Sequence, residues 1–183
     1  MNPYTITALS PNAAEIRIDG PIGESLWQES VSARAFIAEL PALKGKTLTV
    51  YVNSAGGSVM DATAIYNALQ RHDQPVNVTV DGWALSAASL IAVAGQTLTL
   101  GTGSLLMLHN PSTTMVDATA ADLRKYADLL DVVCAQMRSA YAAKSGADEA
   151  TVAAWMDAET WFTAEAAQLT WQTLMPNSPA SLA

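Results

Sequence analysis

Residues 47–69 read TLTVYVNSAGGSVMDATAIYNAL, and their order decides the fold. Thr47 to Val52 is a β-branched run of the kind that fits a pleated, half-buried surface. It stops at Asn53-Ser54-Ala55-Gly56-Gly57, a turn sequence. From Val59 to Leu69 the apolar residues return at helical spacing. The stretch therefore predicts strand, glycine turn, helix. The same pattern recurs downstream: Val76 to Val80 is an apolar strand broken by Asp81-Gly82, and Ala84 to Ala94 is a buried helix rich in small residues. Thr97 to Leu100 and Ser104 to Leu108 are two further short strands, the second delivering His109 at its end. Repeated strand and helix imply right-handed βαβ crossovers and a mainly parallel sheet, hence an α/β fold.

Outside this centre, Glu15 to Ile18 predicts a first strand ending near Gly20, where Asp19-Gly20-Pro21 supplies turn chemistry. Ser25 to Leu40 carries Leu26, Val31, Ala35, Ile37, Ala38 and Leu40 at helical spacings, with Pro41 at its end. A long helix is predicted from Asp117 to Lys144, capped by Asp117 or Thr119 and closed by Gly146. Its apolar residues run from Leu123 to Tyr141 and cover a face wide enough for more than one neighbour. Thr151 to Met156 and Thr163 to Leu174 predict two shorter helices, and residues 175–183 a flexible tail. No repeat or linker divides the chain, so one domain is expected, with its core between about residues 16 and 174.

The composition narrows the function. Half of the 183 residues are apolar, and the formal charge is -8 with a pI near 4.5. No Lys/Arg cluster could neutralise phosphates, which argues against nucleic acid. Cys134 is the single cysteine, so neither an internal disulfide nor a metal site of paired thiolates is expected. The first residues lack a basic and an apolar signal region. The most apolar stretch, Leu85 to Val93, is interrupted by Ser86 and Ser89 and is short for a bilayer. These features lead to the expectation of a soluble, cytoplasmic protein with no membrane or nucleic-acid partner.

Three features sit at the ends of predicted strands, where open α/β sheets place their sites. Gly56-Gly57 is either a tight turn or a place where bare backbone approaches a substrate and offers amide donors. Ser86 opens a helix, where a serine is more often a simple cap; a nucleophile there would gain from the helix amino terminus, which supplies N–H groups for an oxyanion, the Ala87 amide being the nearest. His109 at a strand end suits a general base, whereas His72 lies in a polar stretch expected to be exposed. An acid to orient the imidazole could be Asp157 or Glu159.

These residues resemble the Clp protease proteolytic subunit family, particularly its divergent branch that matures phage proheads. Asn53-Ser54-Ala55-Gly56-Gly57 is similar to the family's Asn-Ser-Pro-Gly-Gly turn and Ala64-Ile65-Tyr66 to its following helix. Gly82-Trp83-Ala84-Leu85-Ser86-Ala87 resembles its nucleophile motif, and Met107-Leu108-His109-Asn110-Pro111 its histidine motif. Coverage runs from about Ile16 to Leu169. Ala55 stands where the family has proline, and the usual Gly-Leu-x-Asp near the end is replaced by Leu169-Thr170-Trp171-Gln172. The resemblance implies a Clp/crotonase-like fold and a serine endopeptidase without metal or organic cofactor. In that reading Ser86 is the nucleophile, His109 the base, and the Gly57 and Ala87 amides the oxyanion hole. The acid registers on Glu159, with Asp157 as the second choice. Gly56 and the segment Ser58, Val59, Met60 would bind substrate by adding its backbone to a strand. It also implies a homo-oligomeric ring built through the long helix, polypeptide substrates such as capsid or scaffold proteins, and a cytoplasmic or immature-virion setting. An unfoldase partner is left open. Two other readings are a crotonase-like acyl-thioester enzyme and a non-catalytic ring-forming protein.

Overall fold

The computed structural model describes residues 3–24 and 29–170. A seven-stranded sheet runs β1(Tyr4–Ser10), β2(Ala13–Asp19), β3(Thr47–Ser54), β4(Val76–Leu85), β6(Leu105–Leu108), β7(Thr160–Thr163), with β5(Thr97–Leu100) also paired to β4. The pairs β2–β3, β3–β4, β4–β5 and β4–β6 are parallel, as expected, whereas β1–β2 and β6–β7 are antiparallel. Leu48, Val50 and Val52 of β3 and Val76, Val78 and Val80 of β4 are buried. Each such aliphatic side chain contributes about 1.5–3 kcal/mol by leaving water.

Asp81-Gly82 does not end a strand, as the sequence suggested, but bends one. The step from Val52↔Val80 to Ser54↔Ala84 takes two residues on β3 and four on β4. Before this bulge β4 pairs with β5, and after it Trp83 to Leu85 pair with β6. The extra residues redirect the strand so that its last residue, Leu85, leads directly into Ser86. The following helix α3(Ala87–Ala92) is accordingly shorter than expected, since Ala84 and Leu85 belong to the strand. All six of its residues are buried. Its small side chains let it lie close against the sheet and α2(Val59–Gln70).

Three further expectations change. The helix placed at Ser25 to Leu40 is confined to α1(Ala33–Glu39) and a 3₁₀ turn at Leu40–Leu43, while residues 25–28 lie outside the described ones. Val31 is held in an extended bridge, its N–H donating to Pro21 O, and Phe36 rather than Ala35 or Ala38 faces the core. Thr160 to Thr163 form a strand in which Phe162 is buried and Trp161 exposed, the period-two pattern of a sheet edge, so α6(Ala164–Thr170) starts later than expected. β1 was not anticipated, although Tyr4 and Ile6 alternate with Thr5 and Thr7; most of the strand is exposed and only Tyr4 is buried.

The long helix α4(Ala120–Ser145) starts at Thr119, whose hydroxyl and backbone form a capping box with Asp122, and ends at Gly146 in the left-handed conformation (φ 75°). Met137 and Tyr141 anchor its second half in the core, whereas Leu123, Tyr126, Leu129 and Val132 stay exposed. A shorter helix, α5(Glu149–Asp157), leads back to β7. Among the described residues no helix is long and apolar enough to cross a membrane.

Candidate active site

β4 delivers Ser86 in a conformation that a serine adopts only under constraint, φ 53° and ψ -128°. Left-handed backbone of this kind costs roughly 1–3 kcal/mol and persists where the surroundings over-determine it. Here Ser86 N–H donates to Met107 O at 3.2 Å, and its own carbonyl accepts from Ser89 N–H at 2.9 Å and Ser89 Oγ at 2.5 Å. Gly56 packs against the turn so closely that a Cβ there would lie 2.6 Å from Leu85 O and 2.8 Å from Ser86 Cβ. The glycine pair is therefore required by contact as well as by its positive φ values, 95° at Gly56 and 139° at Gly57.

β6 ends at Leu108, and the half-buried His109 follows with Nε2 2.7 Å from Ser86 Oγ. The structure thus unites the two side chains that the sequence singled out. When Nε2 accepts the serine proton, the ring's remaining hydrogen sits on Nδ1 and needs an acceptor. His72 is not part of this centre. Its side chain is enclosed, contrary to expectation, and Nε2 bonds Lys46 O at 2.8 Å, next to the start of β3 and away from the carboxyl ends of the strands.

Two backbone amides flank the serine. Gly56 O accepts from Ile22 N–H at 2.8 Å and Ser58 N–H donates to Ile22 O at 2.8 Å. In such a parallel bridge the middle residue, Gly57, turns its own N–H to the other side. Ala87 opens α3, so its N–H has no intrahelical carbonyl to bond.

The two candidate acids differ in position. Asp157 accepts a hydrogen bond from Asn110 Nδ2 at 2.8 Å, and Asn110 Oδ1 in turn accepts from the Cys134 thiol at 3.0 Å. Asp157 thus meets the neighbour of His109. Glu159 is exposed and sits in a left-handed turn at φ 49°. The β6–β7 register runs from Leu105↔Thr163 to Leu108↔Thr160, so Glu159 and His109 each lie one residue beyond the last pair. Among the described residues no ion pair joins His109 to either carboxylate. Asn110 was the residue that sequence reasoning quoted without a role. Its signal is an amide directly after the base, a side chain able to donate on one side and accept on the other.

Ser58, Val59 and Met60 do not form the strand expected to pair with substrate. Ser58 is the cap of α2, its Oγ accepting from Asp61 N–H at 3.2 Å, and Val59 and Met60 lie in the first helical turn, where the backbone is helical and not extended. What these residues do line is a cleft of about 270 Å³ shared with Gly57, Pro111, Tyr126, Leu129 and Val133. It opens between the glycine turn, the segment after His109 and α4. An adjoining cleft of about 210 Å³ between α2 and α4 shares Val59, Met60 and Val133, and neither Ser86 nor His109 lines either cleft.

The sequence profile described as Clp protease matches residues 5–170. The chain is 29% identical over 193 aligned positions to the ATP-dependent Clp protease proteolytic subunit 3 of Streptomyces coelicolor, covering 92% of this chain and 88% of the relative. It is 29% identical to the ATP-dependent Clp protease proteolytic subunit 1 of Streptomyces avermitilis, over 76% of this chain and 67% of the relative. With subunit 3 of Rhodococcus jostii the identity is 27%, over 84% and 75% of the two chains.

Proposed function

The chain belongs to the Clp protease family, and from that premise we propose that it is a serine endopeptidase with Ser86 as nucleophile and His109 as general base. The observation that carries this reading is the 2.7 Å contact between Ser86 Oγ and His109 Nε2. Ser86 Oγ attacks the scissile carbonyl carbon while its proton passes to Nε2. The carbonyl oxygen, now negative, is stabilised by the N–H groups of Gly57 and Ala87. Collapse breaks the C–N bond, the proton on Nε2 leaves with the amine, and an ester to Ser86 remains. Water then attacks that ester, gives its proton to Nε2, and the serine recovers it as the acid product departs.

Glu159 is the acid we favour, on the strand register. Its carboxylate takes the Nδ1 hydrogen after a change of side-chain rotamer, whereas Asp157 is engaged by Asn110. Ser58, Val59 and Met60 serve substrate as walls of the apolar cleft rather than as a pairing strand, and Gly56 serves it by letting the turn pack against Ser86.

Family members form rings and degrade polypeptides, and the exposed Leu123, Tyr126, Leu129 and Val132 of α4 support a ring contact here. For the finer reading we propose, on the motif resemblance alone, the head-maturation branch, with capsid or scaffold proteins as substrates and a host-cytoplasm or immature-virion location. The intact chain and Ser86→Ala, incubated with an unfolded polypeptide without nucleotide, test the activity. Fragments are expected only from the wild type. Persistent cleavage by Ser86→Ala, or an inert chain that binds coenzyme A, would remove the peptidase reading.

A further inference from the structure

A buried hydroxyl on α4 has a forced direction that points to the nucleophile turn. Tyr141 and Ser89 are both 0% exposed, and their hydroxyl oxygens are 2.6 Å apart. Distance alone leaves the donor open. Ser89 Oγ, however, also lies 2.5 Å from Ser86 O, a carbonyl that can only accept, so the single Ser89 proton is committed there. Tyr141 must then be the donor to Ser89. The result is a one-way chain, Tyr141 O–H to Ser89 O–H to Ser86 C=O. Burial pushes the phenol up from its ordinary range, which keeps this proton in place.

The end of the chain matters because of what shares its peptide plane. The Ser86 carbonyl and the Ala87 N–H belong to one planar trans peptide unit and point in opposite directions. Fixing one aims the other. Donors in series also polarise each other, and a carbonyl that accepts strongly makes the N–H across the same peptide a better donor.

We propose that Tyr141 is a positioning residue that acts through Ser89 to aim and strengthen the Ala87 amide of the oxyanion hole. The inference rests on the serine-peptidase reading above. It assigns to α4 a role inside the reaction, although Tyr141 touches neither Ser86 Oγ nor His109. Lys144, one turn further along α4, holds Gly95 O and Gln96 O after the other end of α3 at 2.5 and 2.9 Å, so the two residues pin the nucleophile helix from both sides.

The test uses the intact chain with an alkyl fluorophosphonate, whose phosphoryl oxygen needs the oxyanion hole. The limiting rate of labelling at Ser86 and the half-saturating reagent concentration are measured for the wild type, Tyr141→Phe, Ser89→Ala and the double variant, each checked by thermal unfolding. Tyr141→Phe keeps the ring and should lower the limiting rate about tenfold, less than the 10²–10³ lost with a whole oxyanion donor. Half-saturation and the pH dependence of labelling should not move. With Ser89 already alanine the phenol has nothing to act through, so adding Tyr141→Phe should slow labelling no further. The double variant leaves no orphaned hydroxyl and keeps the comparison available if Ser89→Ala alone folds poorly. Tyr141→Phe labelling at the wild-type rate with only a lower Tm, or an undiminished tenfold effect in the Ser89→Ala background, overturns the inference alone. A wild type that takes no label at Ser86 overturns the peptidase reading and the inference with it.

Discussion

Ser86 and Glu159 are both non-glycine residues forced into positive φ, 53° and 49°, and they stand on either side of His109. Their surroundings differ. Ser86 is gripped by Met107 O, by the backbone and hydroxyl of Ser89, and by the close approach of Gly56, all within buried structure. Glu159 is exposed and held by one backbone bond, Glu159 N–H to Met156 O at 3.2 Å. The proposed nucleophile and base are preorganised, and the proposed acid is not. A strained residue inside a rigid turn needs no rearrangement to react, whereas one on an exposed turn completes its contact only with a further movement.

The largest effect should come from the rigid side. Ser86→Ala and His109→Ala are each expected to lower peptide hydrolysis by at least about 10³-fold, since neither half of such a pair works alone. Gly56→Ala should follow, because its Cβ would meet Leu85 O at 2.6 Å where the backbone cannot give way. A loss of about 2–4 kcal/mol in denaturant unfolding, together with loss of activity, is expected. An unchanged midpoint would mean that the turn is looser than the contact implies.

Glu159→Gln should slow hydrolysis by roughly 10–10²-fold, and Asp157→Asn, which keeps an acceptor for Asn110, by only about twofold. The reverse order in kcat would move the acid to Asp157. The smallest effect concerns stability against pH. Burial lowers the Lys144 ammonium to about 8, while a lysine in an unfolded chain titrates near ~10.4. Between those values the unfolded state binds more protons, so stability rises as pH climbs through about 8. Relative to Lys144→Met, the wild type should gain roughly 1–3 °C in Tm between about pH 7 and 9.5.

The parallel centre of the sheet was legible because Thr47 to Val52 and Val76 to Val80 alternate buried Leu or Val with partly covered residues, the period-two pattern of a strand bounded by turn residues. The Asp81-Gly82 bulge was not, since the same dipeptide ends a strand or bends one depending on the partner strand. Thr160 to Thr163 has too few residues for its alternation to outweigh the helical spacing that follows. Ser86 and His109 could be picked out because each sits at a strand end among residues of ordinary purpose. The Asn110 contacts and the Ser89–Tyr141 pair join residues up to 52 positions apart, and no local pattern marks such partners.

The account depends most on one contact, and peptide mapping of the intact chain after fluorophosphonate treatment tests it directly. A single adduct on Ser86 is predicted, absent in Ser86→Ala and slowed at least about 10³-fold in His109→Ala. No adduct on the folded wild type, or one whose formation is indifferent to His109, would contradict it.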